Sequence, residues 1–144
     1  MTERRLRHIL LVDDNSDDNF IHERAIRKSG LGASVAVCRD GQDALDYLQG
    51  VEAYADAEVR HPELVLLDIN MPRVNGWEFL AEFTKLGQAI RQGVVIVMLS
   101  TSTNPTDRGR ADEFEQVVDY MSKPLTPDLI RQLVTAHFDA EPTS

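Results

Sequence analysis

Short, unbroken apolar runs rich in branched side chains punctuate this chain, and each stops abruptly at a polar or turn-forming cluster. His8-Ile9-Leu10-Leu11-Val12 ends at the acidic pair Asp13-Asp14. Leu64-Val65-Leu66-Leu67 ends at Asp68, ahead of Ile69-Asn70-Met71-Pro72. Val94-Val95-Ile96-Val97-Met98-Leu99 ends at Ser100-Thr101, and Val117-Val118-Asp119-Tyr120-Met121 leads into Lys123-Pro124. A strand with one wet face alternates apolar and polar residues, whereas a strand covered on both faces reads as a continuous apolar run. These runs therefore predict a parallel sheet with helices on both sides. Ligands of such sheets sit beyond the carboxyl ends of the strands. Asp13, Asp14, Asp68, Ser100 and Lys123 are thus expected to gather at one rim.

Helical patterns fill the intervals. A helix is expected over 16–29, opened by Asn15 or Ser16 and stopped by Gly30, followed by a strand over 33–38. Residues 41–50 carry an apolar stripe of Ala44, Leu45 and Leu48, while 51–61 reads equally as a helix extension or a loop. After a strand at 63–69, Gly76 precedes an amphipathic segment whose Phe79, Phe83, Leu86 and Ile90 share a face, with Gly87 and Gly93 expected to end it. Asn104-Pro105-Thr106-Asp107 reads as an N-cap, a proline in the first turn and a helix-opening acid. That helix is weak: Gly109 interrupts it, and only Ala111 and Phe114 look core-facing. A last helix over 127–138 offers Leu129, Ile130, Leu133 and Val134 to the core. The alternation predicts a single α/β domain over 1–144, a doubly wound (βα)5 fold around a central five-stranded parallel sheet. Its core spans about 8–138, with flexible ends at 1–7 and 139–144, and its crossovers are right-handed.

A net charge of −9 argues against nucleic acid, which is bound by neutralising phosphates with Lys and Arg. The basic cluster Arg4, Arg5 and Arg7 is too small to reverse that. Cys38 is the sole cysteine and lies in the apolar run Val35-Ala36-Val37-Cys38, so it reads as a buried hydrophobe in a reducing compartment. Asp13 interrupts the first apolar run too early for a signal peptide, and no run approaches the roughly 20 residues of a membrane span. A cytoplasmic protein with no membrane attachment is expected. Neither G-x-x-x-x-G-K-[ST] nor G-x-G-x-x-G occurs, which leaves nucleotide binding without support. His8, His22, His61 and His137 lack metal-ligand spacing and read as structural or solvent-facing.

A carboxylate at a strand end can attack phosphorus and form an acyl phosphate. Asp68 is placed for that role. Asp13 and Asp14 alone would hold Mg2+ loosely, but a third carboxylate and a backbone carbonyl add oxygen ligands. Crowding three acids is costly, because like charges oppose one another's ionisation. A cation, together with Lys123, would offset that repulsion and the charge of a transferring phosphoryl group.

In combination these motifs make the chain resemble the receiver domain of two-component response regulators, the flavodoxin-like fold typified by the chemotaxis regulator CheY. The resemblance rests on Val-Asp-Asp-Asn after the first strand, Leu-Asp-Ile-Asn-Met-Pro after the third, Leu-Ser-Thr after the fourth and Tyr-Met-Ser-Lys-Pro after the fifth. It implies that Asp68 is the phosphoacceptor. It further implies that Asp14 ligates Mg2+ directly, Asp13 largely through water, and Asn70 through its main-chain carbonyl. Ser100 matches the hydroxyl that turns toward the phosphoryl group, Lys123 its ion-pair partner, and Tyr120 the aromatic switch. The Lys123–Pro124 bond is expected to be cis. Asn70 and Ser102 fall at positions that tune dephosphorylation.

The resemblance implies a signalling switch that takes phosphate from a histidine kinase or a histidine phosphotransfer protein. Its output would be a changed surface on the weak fourth helix, the fifth strand and the last helix. No output domain is expected after residue 138, so the signal would leave by contact with a downstream protein or by onward phosphotransfer. The Leu-Ser-Thr-Ser-Thr-Asn-Pro segment is similar to regulators serving phytochrome-type kinases, some of which dimerise; monomer and homodimer both stay open. Each residue also has a plainer reading: Asp13-Asp14-Asn15 as a helix cap, Asp68 as a turn acid, Ser100 as a loop hydroxyl, Tyr120 as a strand residue, Lys123 as a surface charge. Two rival functions remain. An unphosphorylated docking module would keep the fold without the chemistry. An aspartate-nucleophile phosphatase would need a second acid where Asn70 stands.

Overall fold

Continuous burial is what the computed structural model shows for the central strands, within the residues it describes (6–51, 61–71, 73–101 and 105–138). The strands are β1 His8–Val12, β2 Ser34–Cys38, β3 Leu64–Asp68, β4 Val95–Ser100 and β5 Val117–Ser122. They form one sheet in the order β2-β1-β3-β4-β5, and every neighbouring pair is parallel. Every residue of β1, β3 and β4 is buried, while the edge strands β2 and β5 are mostly half-buried. The helices are α1 Ser16–Lys28, α2 Gly41–Gln49, α3 Gly76–Phe83, α4 Gln88–Arg91, α5 Pro105–Ala111 and α6 Pro127–His137.

Alternate strand residues feed two cores. Leu10, Val12, Val65, Leu67, Ile96 and Met98 pack with Ala44, Leu45 and Leu48 of α2 and Phe79, Leu80 and Phe83 of α3. Ile9, Leu11, Leu64, Leu66, Val97 and Leu99 pack with Ala25 and Ile26 of α1 and Ile130 and Leu133 of α6. A bulge interrupts this parity in β5: Ile96 pairs with Val117 but Val97 with Asp119, so Val118 is an extra residue. The side-chain period of a strand is two, so one extra residue exchanges the faces beyond it. Tyr120 thereby joins the core that holds Met98, and Met121 the other.

The path turns from β2 back across β1 to β3, which makes the gap between β1 and β3 the point where strand order reverses. Register brings the functional ends together there. Val12 pairs with Leu67, which sets Asp13 beside Asp68; Asp68 pairs with Leu99, and Ser100 with Ser122, next to Lys123.

Two expectations need correction. The segment after Gly76 is not one helix through Ile90. It ends at Phe83, where the Thr84 hydroxyl donates to the Ala81 carbonyl (2.7 Å), and a separate turn, α4, starts after Gly87 in extended conformation. Leu86 and Ile90 still lie against the same core, so the apolar spacing survives the break. Among the described residues the five β-α units therefore carry one additional short helix. In α6, Ile130 and Leu133 are buried, but Leu129 and Val134 are only half-buried. The helix after Pro105 is short, as its composition suggested, and the Lys123–Pro124 bond is cis. The undecided 52–60, Pro72, Ser102, the Asn104 cap and the chain ends 1–5 and 139–144 lie outside the described residues.

Candidate functional site at the sheet rim

The first turn of α1 decides how the acidic pair is used. Asn15 is the cap: its side chain accepts from the backbone N–H groups of Asp17 (2.9 Å) and Asp18 (3.1 Å). That frees Asp13 and Asp14 from capping. Asp13 is fixed instead by its neighbours, its Oδ1 accepting from the Asn15 N–H and its carbonyl from the Asn19 Nδ2, both at 2.9 Å.

Carboxylate oxygens of Asp13, Asp14 and Asp68 all lie within 4.8 Å of one another. Asp13 and Asp68 are buried and Asp14 is exposed. Burial pushes the Asp68 carboxyl up to about 6, and the nearby Asp13 charge adds to this, with Lys123 opposing. An all-oxygen, carboxylate-rich donor set suits a hard divalent cation, which would remove the repulsion that raises Asp68. Asp13, Asp14 and Asp68 therefore fit a metal of the Mg2+ or Mn2+ class. Asn70 is exposed, two residues beyond Asp68.

Lys123 closes the site. Its Nζ donates to Asp13 Oδ2 at 2.7 Å and Asp18 Oδ2 at 2.9 Å, and lies 3.2 Å from Asp68 Oδ1. Burial works against the ammonium, but the bonds to Asp13 and Asp18 and the Asp68 charge outweigh it and hold its pKa above the ordinary lysine value. The Lys123 N–H also donates to the Ser100 carbonyl (2.8 Å), which ties the ends of β4 and β5. Ser100 is buried at that rim. Tyr120 points inward, with its hydroxyl buried and without a hydrogen-bond partner among the described residues. Arg108 of α5 covers its ring at 5.5 Å and donates to its carbonyl at 3.1 Å.

The loop after Asp68 is held from both ends. Gly76 sits so close that a Cβ there would be 2.7 Å from the Asp68 carbonyl oxygen and 2.9 Å from Ile69 Cα. Arg73 adopts a left-handed conformation (φ 61°) that non-glycine residues seldom take. Its guanidinium grips Asp40 bidentately, Nε to Oδ2 at 2.8 Å and Nη2 to Oδ1 at 3.0 Å. Asp40 is also the N-cap of α2, accepting from the Asp43 N–H at 2.8 Å, and the Gly41 N–H donates to the Val74 carbonyl at 2.9 Å. Burial alone would raise the Asp40 carboxyl, but these bonds bring it below its ordinary value.

The structure thus unites Asp13, Asp14, Asp68 and Lys123, with Ser100 on the adjoining strand end and Tyr120 behind it. Sequence reasoning missed Asp18, whose spacing from Asn15 signals only a capped helix and says nothing of a lysine far along the chain. It also missed the Asp40–Arg73 pair, for which no glycine advertises the left-handed turn. Trp77 is buried under the Arg110 guanidinium, 4.5 Å from its ring. His8 is structural, bonded to Ser34 Oγ and Tyr47 Oη at 2.7 Å each. His22 is buried on α1, where burial and the Lys123 charge keep its pKa low.

Comparison with known proteins agrees with this geometry. The profile of the response regulator receiver domain matches residues 9–135. The probable methanogenesis regulatory protein FilR2 of Methanothrix harundinacea is 35% identical over 126 residues, covering 88% of this chain and 77% of that protein. The bacteriophytochrome response regulator AtBRR superposes with a TM-score of 0.81 at 32% identity, covering 97% of this chain and 99% of that one. Rcp1 of Synechocystis is 33% identical over 99 residues, 69% of this chain and 65% of that protein. The structure of its Mn2+-bound form gives a TM-score of 0.73 at 30% identity, covering 91% and 93% of the two chains. Among the described residues no helix is long and apolar enough to cross a membrane.

Proposed function

The chain belongs to the response regulator receiver family, and on that premise we propose that Asp68 is its phosphoacceptor, with Asp13, Asp14, Asp68 and the Asn70 main-chain carbonyl as ligands of Mg2+. Members of the family are phosphorylation-dependent regulatory switches rather than enzymes with an external substrate. The observation that carries the assignment is the convergence of Asp68 with Asp13, Asp14 and Lys123 on one rim.

A carboxylate oxygen of Asp68 attacks the phosphorus of a phosphohistidine on a histidine kinase or phosphotransfer protein. The new P–O bond forms as the P–N bond breaks, and the imidazole leaves with the electron pair. Asp68 attacks as the carboxylate, the form that Lys123 and a bound cation both favour. A bound Mg2+ supplies positive charge to the phosphoryl oxygens. Lys123 adds an ammonium fixed by its carboxylate partners, and little else is required, because phosphoryl transfer rests on positioning and electrostatics. Ser100 then donates to a phosphoryl oxygen, and Tyr120 occupies the space behind it. The exposed faces of α5, β5 and α6 carry the change outward as a population shift. Bacteriophytochrome kinases are the first donors to try, given the likeness to AtBRR.

Intact-protein mass spectrometry after incubation with Mg2+ and acetyl phosphate tests the assignment. A hydroxylamine-labile phosphoryl adduct on the parent, absent from Asp68→Ala, is expected. No adduct from either acetyl phosphate or a phosphorylated kinase would overturn it and leave a docking module.

A further inference from the structure

Lys123 has three ammonium protons and no more. In the structure three carboxylates compete for them: Asp13 at 2.7 Å, Asp18 at 2.9 Å and Asp68 at 3.2 Å. Asp68, the proposed acceptor, is the most distant. The ammonium lies nearer its other two partners than Asp68, so a full bond to a phosphoryl group on Asp68 requires it to move away from one of them. In the cation-free site Asp13 is poorly placed to release it, with its side chain 4% exposed and its second oxygen held by the Asn15 N–H. The side chain of Asp18 is 28% exposed and can turn to water without burying an unpaired charge. Its backbone is secured by the Asn15 cap, and the first turn of a helix favours a negative charge, so Asp18 is held ready to take the lysine back.

We propose that Asp18 is a positioning residue that competes for Lys123, holding the lysine in the unphosphorylated site and setting how readily it transfers to the phosphoryl group. The inference rests on Asp68 being the phosphoacceptor. Losing Asp18 frees one proton of Lys123 for the incoming oxygen. Neighbouring Asp17 provides a matched control: it is exposed, carries the same charge in the same turn and makes no ion pair with Lys123 among the described residues.

The experiment compares the parent, Asp18→Asn and Asp17→Asn in two ways. Adduct formation from acetyl phosphate with Mg2+ is followed by mass spectrometry, and proton exchange of the Lys123 ammonium is followed by NMR in cation-free, phosphate-free protein. Asp18→Asn is expected to speed adduct formation on the order of tenfold, the scale of one charge-assisted hydrogen bond partly released. Asp17→Asn should change it less than about twofold, the range left to a screened surface charge. The ammonium should exchange faster in Asp18→Asn alone. Equal rates in the two variants, a slower rate in Asp18→Asn, or an unchanged ammonium would each overturn the proposal. If no adduct forms on the parent even from a phosphorylated kinase, the acceptor assignment itself fails and this inference with it; equal adducts on all three proteins remove the inference alone.

Discussion

Asp68→Asn should make the cation-free protein more stable at neutral pH, and by an amount that depends on pH. Folding raises the Asp68 carboxyl from 3.8 to about 6, chiefly by burial and then by the Asp13 charge. A raised folded-state pKa means that folding favours the protonated form. That contribution is full below about pH 3.8 and is lost as pH rises through about 6. The shift of about 2 units, at about 1.4 kcal/mol per unit, amounts to about 3 kcal/mol of destabilisation by the time Asp68 is fully ionised. Asparagine keeps a carbonyl for Lys123, and the pull of the lysine on the carboxylate is already contained in the net rise to about 6. The variant should therefore lead the parent by roughly 3 kcal/mol near pH 8. About half of the pH-dependent gap should open between pH 5 and pH 8, where the carboxyl ionises in the fold. Urea titrations in EDTA across that interval measure it. Adding Mg2+ should close most of the gap, since a ligand at a hundred times its Kd stabilises the parent by about 2.7 kcal/mol. A stability gap that stays flat from pH 5 to pH 8 would refute the claim that burial and Asp13 strain this carboxylate.

Further outcomes follow from contacts around the rim. Gly76→Ala forces a Cβ against the Asp68 carbonyl and should cost about 1–3 kcal/mol of stability in urea, with weaker Mg2+ binding by calorimetry. Arg73→Gly and Arg73→Ala both lose the Asp40 bonds, but only glycine accepts the left-handed backbone freely, so the alanine variant should show the lower urea midpoint. Tyr120→Phe removes a buried hydroxyl that has no partner, so its stability should match or exceed the parent's by up to about 1 kcal/mol; a loss of that size would reveal a hydrogen bond to the hydroxyl.

Much of the sheet could be read from the sequence because burial on both faces leaves no alternation to disguise β1, β3 and β4. The rim residues could be read because parallel strands end on one side, which places Asp13, Asp68, Ser100 and Lys123 without any knowledge of side-chain contacts. The break at Thr84 could not. Leu86 and Ile90 continue the helical spacing of Phe79 and Phe83, and an apolar period is blind to whether the backbone between them is continuous. The bulge at Val118 was equally hidden, since a half-buried edge strand tolerates either parity. Asp18 and Arg73 act through single partners distant in the chain, Lys123 and Asp40, and such pairings leave no periodic trace.

Asp40 gives one carboxylate two duties. The oxygens that cap α2 also hold Arg73, and the next amide, Gly41, bonds the carbonyl of Val74. The cap of α2, the Arg73 pair and the Gly41–Val74 bond thus meet at one carboxylate and the amide beside it, which ties the loop after Asp68 to the first turn of α2. The Asp43 amide, on a helix that contributes no residue to the site, reports on that tie: it should exchange faster in Arg73→Ala, because its acceptor is the carboxylate that Arg73 holds.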